Sequence, residues 1–165
     1  MDRNLTICFT SDIHGYFSDM DYARGEPGTT GLSRCASAFP DDGNTLILDG
    51  GDTLQGSPLV YWLNRNPVEG AKVAARAMSM AGYDFVTLGN HDFNNGYDYL
   101  KRHLDALDAK CLCANVKDLR GELPISGAAV HTLGNGLRVG LVGIVTDWVN
   151  RWEKPENLTE LRVND

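Results

Sequence analysis

Three short polar clusters contain the side chains of this chain that are best suited to chemistry. They are Asp12-Ile-His14, Gly50-Gly-Asp52 and Gly89-Asn-His-Asp92. Carboxylates, imidazoles and an amide carbonyl, with no thiolate nearby, are typical ligands of Mn²⁺, Fe, Zn²⁺ or Mg²⁺. The residue types therefore predict a metal site that is built from oxygen and nitrogen ligands.

Each cluster directly follows a predicted β-strand. The apolar and β-branched runs that predict these strands are Leu5–Thr10, which we expect to be buried, Thr45–Leu48 and Asp84–Leu88. In an open α/β sheet, ligands bind in the crevice beyond the carboxyl ends of the strands. The clusters are therefore expected to converge on one site, and its metal ligands would be Asp12, His14, Asp52 and Asn90.

The spacing of these ligands suits a pair of metal ions. Asp12 and His14 are two residues apart, so on an extended segment their side chains would face the same side. Asp52 could bridge two ions because a carboxylate has two oxygens, and Asn90 offers a neutral carbonyl. Two ions ~3.5–4 Å apart can hold a hydroxide and clamp a phosphoryl group for in-line attack. Each cluster alone is a weak signal, and their joint occurrence at strand ends is what indicates phosphoryl chemistry.

The segments between the clusters predict helices. They are expected over Gly31–Phe39, from the N-cap Ser57 with Pro58 at the first helical position, over Glu69–Met80 and over Gly96–Leu107. The third of these helices has an apolar stripe at helical spacing, formed by Val73, Ala74, Ala77, Met78 and Ala81, and Gly82 is its expected C-cap. Strands that alternate with helices predict a parallel sheet covered by helices.

The last third of the chain predicts further strands. A fourth strand is expected over Lys110–Cys113. Ala128–Leu133 and Leu137–Val145 flank Asn135-Gly136, a pair typical of a type I′ hairpin. A hairpin adds antiparallel strands, so the predicted fold class is α/β with a mixed β-sheet and flanking helices.

The charge balance excludes some partners. The 165 residues include 22 acidic and 15 basic side chains, which gives a formal net charge of −7. That balance argues against a sequence-independent grip on a nucleic-acid polymer, although a metal ion could supply positive charge for phosphate chemistry. No apolar run reaches the ~18 residues of a membrane helix. We expect neither a nucleic-acid nor a membrane partner, and the oligomeric state stays open.

The start of the chain and the cysteines predict a cytoplasmic location. Met1–Ile7 lacks a basic region followed by an apolar stretch, so no signal peptide is expected, and a removed leader would instead imply a periplasmic or extracellular protein. The cysteines lack CxxC spacing and the density of a disulfide scaffold. We expect Cys8 and Cys111 to be reduced core thiols.

The clusters and their surroundings resemble the calcineurin-like metallophosphoesterases. Asp12-x-His14, Gly51-Asp52 and Gly89-Asn-His-Asp92 are similar to the first three signature blocks of that family. Longer stretches resemble its 5′-nucleotidase / 2′,3′-cyclic-nucleotide phosphodiesterase branch, namely Asp49–Leu59, Thr87–Asn94 with Gly96–Leu100, and Trp152–Pro155. The resemblance spans about Leu5–Asn157. It implies an α/β sandwich that hydrolyses nucleotides or 2′,3′-cyclic nucleotides with two divalent metal ions.

The resemblance also implies a division of the metal ligands. Asp12, His14 and Asp52 would hold the first ion, while Asp52 and Asn90 would hold the second. Asp92 stands where the branch often has a glutamate, and the resemblance implies no role for it here.

Two residues of the third cluster would act on the substrate. His91 would lie over the phosphate and stabilise the transition state or protonate the leaving alkoxide. In 5′-nucleotidases an acidic residue three places further on completes a dyad with this histidine, whereas here that residue is Asn94, and the cyclic phosphodiesterase subgroup looks more similar at this position. An amide would orient His91 but would stabilise its cation less than a carboxylate does.

Later parts of the family's site have no counterpart in this sequence. The family completes its metal site with further histidines, including a Gly-His-x-His-type block, whereas His103 is predicted on the exposed side of a helix and His131 in mid-strand. Residues 1–165 are therefore expected to be the N-terminal portion of a metallophosphoesterase domain, without its remainder and without the C-terminal nucleotide-specificity domain. Two functions stay open: a phosphoester hydrolase, and a non-catalytic module that binds metal or nucleotide or serves as an interaction surface.

Overall fold

The computed structural model of the chain describes residues 4–21 and 23–165. Within these ranges the strands are β1 Thr6–Thr10, β2 Met20–Asp21, β3 Glu26–Pro27, β4 Thr45–Asp49, β5 Phe85–Val86, β6 Lys110–Leu112, β7 Val116–Asp118, β8 Ile125–Ser126, β9 Ala128–Thr132, β10 Arg138–Val142 and β11 Leu161–Val163. The helices are α1 Leu32–Ala36, α2 Pro58–Leu63, α3 Pro67–Ala81, α4 Tyr97–Asp105 and α5 Val149–Trp152, and 3₁₀ turns cover Asn90–Phe93 and Pro155–Leu158. Residues 1–3, on which the signal-peptide expectation partly rests, lie outside the described residues.

A parallel sheet with the strand order β1-β4-β5-β6-β8 forms the centre of the fold. Thr10 of β1 pairs with Asp49 of β4, and Asp49 pairs with Val86 of β5. Because these three residues lie side by side at the carboxyl ends of their strands, the three polar clusters leave the sheet at the same edge. The predicted α/β class with flanking helices is confirmed; the central sheet is parallel, and the antiparallel strands of the described residues form separate two-stranded sheets.

The first strand is at the edge of this sheet, so the prediction that it is buried is wrong. Ile7 and Phe9 are 55% and 63% exposed. Their partners Leu46 and Leu48 lie in an apolar cluster between the sheet and the β9–β10 hairpin, but Ile7 and Phe9 are outside that cluster. An apolar run therefore identified a strand without revealing whether a second layer covers it.

The predicted hairpin is confirmed, but its turn is not of type I′. A type I′ turn needs positive φ at both central residues, and Gly136 has a φ of 77° whereas Asn135 has no positive φ. The Gly136 N–H donates to the Leu133 carbonyl, and the Leu133 N–H donates to the Leu137 carbonyl, both at 2.9 Å. This pattern matches a longer loop in which one left-handed glycine re-aligns the strands.

The helices cover the other face of the sheet. As predicted, Ser57 caps α2, because its hydroxyl accepts the Val60 N–H at 3.1 Å. Gly82 ends α3 with a φ of 80°. The stripe predicted for α3 is wrong at one position, since Val73 is 41% exposed. The buried face of α3 is instead formed by Gly70, Ala71, Ala74, Ala75, Met78 and Ala81.

Small residues at these positions let the neighbouring helix approach closely. A Cβ on Gly70 would lie 2.1 Å from the Leu63 carbonyl oxygen of α2.

Among the described residues, no helix combines the length and apolar character of a membrane span. Cys111 is buried as expected, whereas Cys8 on the edge strand is only half-buried, and both are free thiols.

His103 is buried, so the prediction that it lies on the exposed side of its helix is wrong. The side chain is 5% exposed between α4 and α3. Its Nδ1 lies 3.3 Å from the Ala71 carbonyl oxygen, which only accepts hydrogen bonds, so Nδ1 is the donor. Burial lowers the pKa of His103 to about 4.

We expect His103→Gln to change how stability depends on pH. An unfolded histidine binds a proton near pH ~6.5, whereas the buried His103 does so only at about pH 4. The unfolded state therefore takes up the proton first as the pH falls, and wild-type stability drops by on the order of 3 kcal/mol between these values. His103→Gln should lack this component, which urea unfolding across the interval would measure. The half-buried His131→Gln is the control, and identical pH profiles for the two variants would contradict the expectation.

Candidate active site

The segments after β1 and β4 are held together by their backbones. The Asp12 N–H donates to the Gly51 carbonyl at 2.9 Å, and the His14 N–H donates to the Asp52 carbonyl at 2.9 Å. Since these two bonds join Asp12 and His14 to the consecutive residues Gly51 and Asp52, the first two polar clusters lie next to each other beyond the sheet. The position of Asp12 and His14 relative to Asp52 is thus fixed by main-chain contacts.

Three of the predicted ligands have left-handed backbone conformations. The φ angles of Asp12, His14 and Asp52 are 55°, 47° and 59°, and among residues 4–21 and 23–165 no other non-glycine residue has a positive φ. The expectation that Asp12 and His14 lie on an extended segment is therefore wrong. Such conformations cost free energy and persist where the surroundings impose them, which is common at functional sites.

The same three residues bring their ligand atoms together. One atom each from Asp12, His14 and Asp52 lies within 4.8 Å of the others. His14 Nδ1 lies 2.8 Å from the Gln55 carbonyl oxygen and must donate to it, which leaves Nε2 with a free lone pair. A histidine held in this way is typical of metal ligands. Asp52 is buried, His14 is half-buried and Asp12 is exposed, so the group opens to solvent.

Two glycines allow the second and third clusters to approach each other. A Cβ on Gly89 would lie 2.2 Å from Asp52 Oδ1, and a Cβ on Gly51 would lie 2.1 Å from the Gly89 nitrogen. Any side chain at these positions would push the segments apart. Both glycines of the sequence signature are therefore required by packing at the site.

Asp92 connects the second and third clusters through its buried carboxylate. Its Oδ2 accepts the N–H groups of Asp52 and Gly89, each at 2.9 Å. Its Oδ1 accepts those of Thr53 at 2.9 Å and Leu54 at 3.0 Å. Sequence reasoning assigned Asp92 no role, because three of its four partners are about forty residues away and all four are backbone groups that carry no signature.

The site concentrates carboxylates with raised pKa values. Burial raises the pKa of Asp52, and the negative charges of Asp92 and Asp12 add to the rise. Burial also raises the pKa of Asp92, although its four N–H donors oppose that change. Burial raises the pKa of Asp49 to about 7, while hydrogen bonds from Thr10 and Gly51 act against it. A bound cation would compensate this charge, so the residues present fit a divalent metal ion.

The third cluster places His91 beside this group. The His91 N–H donates to Asp52 Oδ1 at 2.7 Å, and the His91 and His14 ring centroids are 5.5 Å apart. Asn90, which precedes His91, begins the 3₁₀ turn that follows β5. His91 Nδ1 lies 2.9 Å from Asn94 Oδ1, so the structure pairs the two residues that the resemblance assigned to catalysis.

Comparison with known proteins assigns the family. The calcineurin-like phosphoesterase family matches residues 5–162. The chain belongs to the calcineurin-like phosphoesterases. It is 33% identical over 181 aligned residues to the trifunctional nucleotide phosphoesterase protein YfkN of Bacillus subtilis, covering 98% of this chain and 12% of that protein. It is 30% identical to a 2′,3′-cyclic-nucleotide 2′-phosphodiesterase/3′-nucleotidase of Yersinia enterocolitica, covering 98% of this chain and 27% of that protein.

Solved structures of similar proteins have the same fold. The calcineurin-like phosphoesterase YfkN of Bacillus subtilis superposes with a TM-score of 0.81 at 30% identity, covering 98% of this chain and 54% of that one. A 5′-nucleotidase precursor of Thermus thermophilus superposes with a TM-score of 0.75 at 28% identity, covering 98% and 32%. This calcineurin-like phosphoesterase chain thus spans about a quarter or less of the curated relatives described above.

The other histidines of this calcineurin-like phosphoesterase lie elsewhere. His103 is buried between α3 and α4. The ring of His131, in β9 of the hairpin, lies 5.8 Å from the ring of Phe85 in β5. In the described part of the chain, Asp12, His14 and Asp52 are the one group of three acidic, histidine or cysteine side chains able to share an ion. Sequence reasoning also missed a contact of Asn94 with Glu153, for which the only signal was the Trp152–Pro155 similarity.

We expect Asp92→Asn to destabilise the fold and separate the second and third clusters. The substitution replaces one acceptor oxygen by an NH₂ group, which would face two backbone N–H donors. Breaking a buried, hydrogen-bonded carboxylate in this way costs on the order of 3 kcal/mol. Urea unfolding should show this loss, whereas the exposed control Asp108→Asn should unfold like wild type. Equal stability of the two variants would mean that Asp92 does not hold the clusters together.

Proposed function

We propose that this chain hydrolyses phosphoesters of nucleotides, including 2′,3′-cyclic nucleotides, with the help of divalent metal ions. The observation that carries the proposal is the convergence of Asp12, His14 and Asp52 within 4.8 Å, next to His91. Membership of the calcineurin-like phosphoesterases supports it, as do relatives named for nucleotidase and cyclic-nucleotide phosphodiesterase activity.

Two divalent ions, Mn, Fe, Zn or Mg, are the proposed cofactors. Asp12, His14 and Asp52 would hold one ion, while Asp52 and Asn90 would hold the second. Divalent ions bound there would supply a nucleophile at neutral pH and offset the negative charge of the phosphate. The donor set supports this assignment, because carboxylate and imidazole groups with a free lone pair suit these metals.

His91 is the proposed catalytic residue, and Asn94 is its partner. The backbone of His91 is fixed by its bond to Asp52, and its ring is fixed by Asn94, so the imidazole is held beside the metal ligands. In this position it would hydrogen-bond a phosphate oxygen or donate a proton to the leaving sugar oxygen. General acid catalysis of this kind contributes about 10²–10⁴-fold to rates.

The proposed partner is a small nucleotide, and the proposed location is the cytoplasm. The acid surplus of the chain makes a nucleic-acid polymer an unsuitable partner.

A non-catalytic module that binds metal or nucleotide, or presents an interaction surface, is the second candidate function. It is favoured because, among the described residues, only one group of three acidic, histidine or cysteine side chains could hold an ion, and the second proposed ion has just two proposed ligands.

Variants of the metal ligands and of His91 separate the two candidates. Hydrolysis of bis-p-nitrophenyl phosphate with Mn²⁺ would be measured first, followed by 2′,3′-cyclic AMP, 3′-AMP and 5′-AMP. Asp52→Asn should weaken Mn²⁺ binding by at least about tenfold, since it removes a ligand charge. His91→Ala should keep Mn²⁺ binding and lose about 10²–10⁴-fold in turnover.

Asp108→Asn serves as the matched control and should behave like wild type in both measurements. Mn²⁺ binding without hydrolysis would favour the non-catalytic module. Equal rates for wild type, Asp52→Asn and His91→Ala would refute the proposed mechanism.

A further inference from the structure

We infer that Glu153 is a positioning residue for His91, acting through the side chain of Asn94. The inference deepens the proposed function and rests on it for its catalytic meaning. Asn94 stands at the position of an acidic dyad partner in 5′-nucleotidases. In this structure Asn94 instead links the imidazole to a carboxylate, because its side chain contacts both His91 and Glu153.

Three hydrogen-bond donors surround the Glu153 carboxylate. The Asn94 Nδ2 group donates to Oε2. The Asn157 Nδ2 group donates to Oε1 at 2.9 Å, and the Lys154 N–H donates to the same oxygen at 2.6 Å. Only a carboxylate offers acceptors on both sides, because a glutamine at this position would turn an NH₂ group towards at least one donor.

This arrangement determines the direction of the Asn94 amide. Because Glu153 Oε2 only accepts, the Asn94 NH₂ group must face it, and Oδ1 must then face His91. Oδ1 is an acceptor, so His91 Nδ1 carries the proton of that bond. The Nδ1–H tautomer follows for the neutral ring, so the second proton of the imidazolium form is carried by Nε2, which can donate it to a leaving oxygen. A fixed tautomer is what a catalytic imidazole requires.

The segment that supplies Glu153 is itself anchored. The Glu153 N–H donates to the carbonyl of Val149, which is fully buried. Asn157 also donates to the Asn94 backbone carbonyl at 2.9 Å, which ties the second 3₁₀ turn to the His91 segment. Residues about sixty positions away therefore hold the ring of His91 in place.

The test is the tautomer of the neutral His91 ring in the metal-free protein, observed by ¹⁵N NMR. Wild type should show the Nδ1–H form, and Glu153→Gln should lose this preference. The exposed neighbour variant Glu156→Gln should keep it. An Nε2–H form in wild type, or an unchanged His91 spectrum in Glu153→Gln, would overturn the inference.

A double variant separates positioning from a purely structural role. In Asn94→Asp with Glu153→Gln, the new aspartate would accept from His91 Nδ1 and from the glutamine NH₂ group, while the glutamine oxygen would accept from Asn157 and Lys154. The Nδ1–H form should therefore return in the double variant. If it stays lost although the double variant melts like wild type, Glu153 does not act through Asn94.

Turnover adds a second readout. For a nucleotide, whose leaving group needs a proton, Glu153→Gln should lower kcat at least about tenfold with KM unchanged. For a p-nitrophenyl ester, which leaves without one, the loss should be smaller. If wild type hydrolyses neither substrate, the proposed function fails, while the NMR result still decides whether Glu153 positions His91.

Discussion

The buried carboxylate of Asp92 is the constraint on which the rest of the site depends. It collects four backbone N–H groups from the segments that follow β4 and β5, and so determines where Asp52 and Gly89 lie. Without it, four donors would be left unsatisfied in the interior, at a cost larger than most single contacts. The proposed metal ligands are therefore organised by a residue that is not itself proposed to bind metal.

The site has a buried, hydrogen-bonded interior and is open to solvent on the side of Asp12. Asp52 is buried and hydrogen-bonded to the His91 backbone, whereas Asp12 is exposed. The burial of the carboxylates decreases from Asp92 through Asp52 to Asp12. A negative charge therefore costs the most free energy at Asp92 and is most accessible to solvent at Asp12. A ligand of opposite charge can therefore reach the group without disturbing the contacts that build it.

The sequence predicted the parts of this structure that depend on local pattern. Apolar runs that stop at polar residues predicted strand ends at Thr10, Leu48 and Leu88, within two residues of the observed ends, and the site was expected at their common edge. Burial was harder to predict, because the exposure of Phe9 and the burial of His103 are decided by which layers lie next to them. Asp92 and Glu153 were missed for a related reason, since the contacts that tie them to the site, with the backbone of residues 52–54 and with the Asn94 amide, join residues distant in sequence.

The left-handed torsions of Asp12, His14 and Asp52 have a consequence for the evolution of this chain. Glycine would adopt these angles at no steric cost, so each substitution to glycine would relax the backbone while deleting a ligand. Selection for folding stability alone would therefore favour loss of the proposed ligands, and selection for the proposed ion binding would oppose that loss. A descendant that no longer required these three side chains would be expected to accumulate glycine at their positions first.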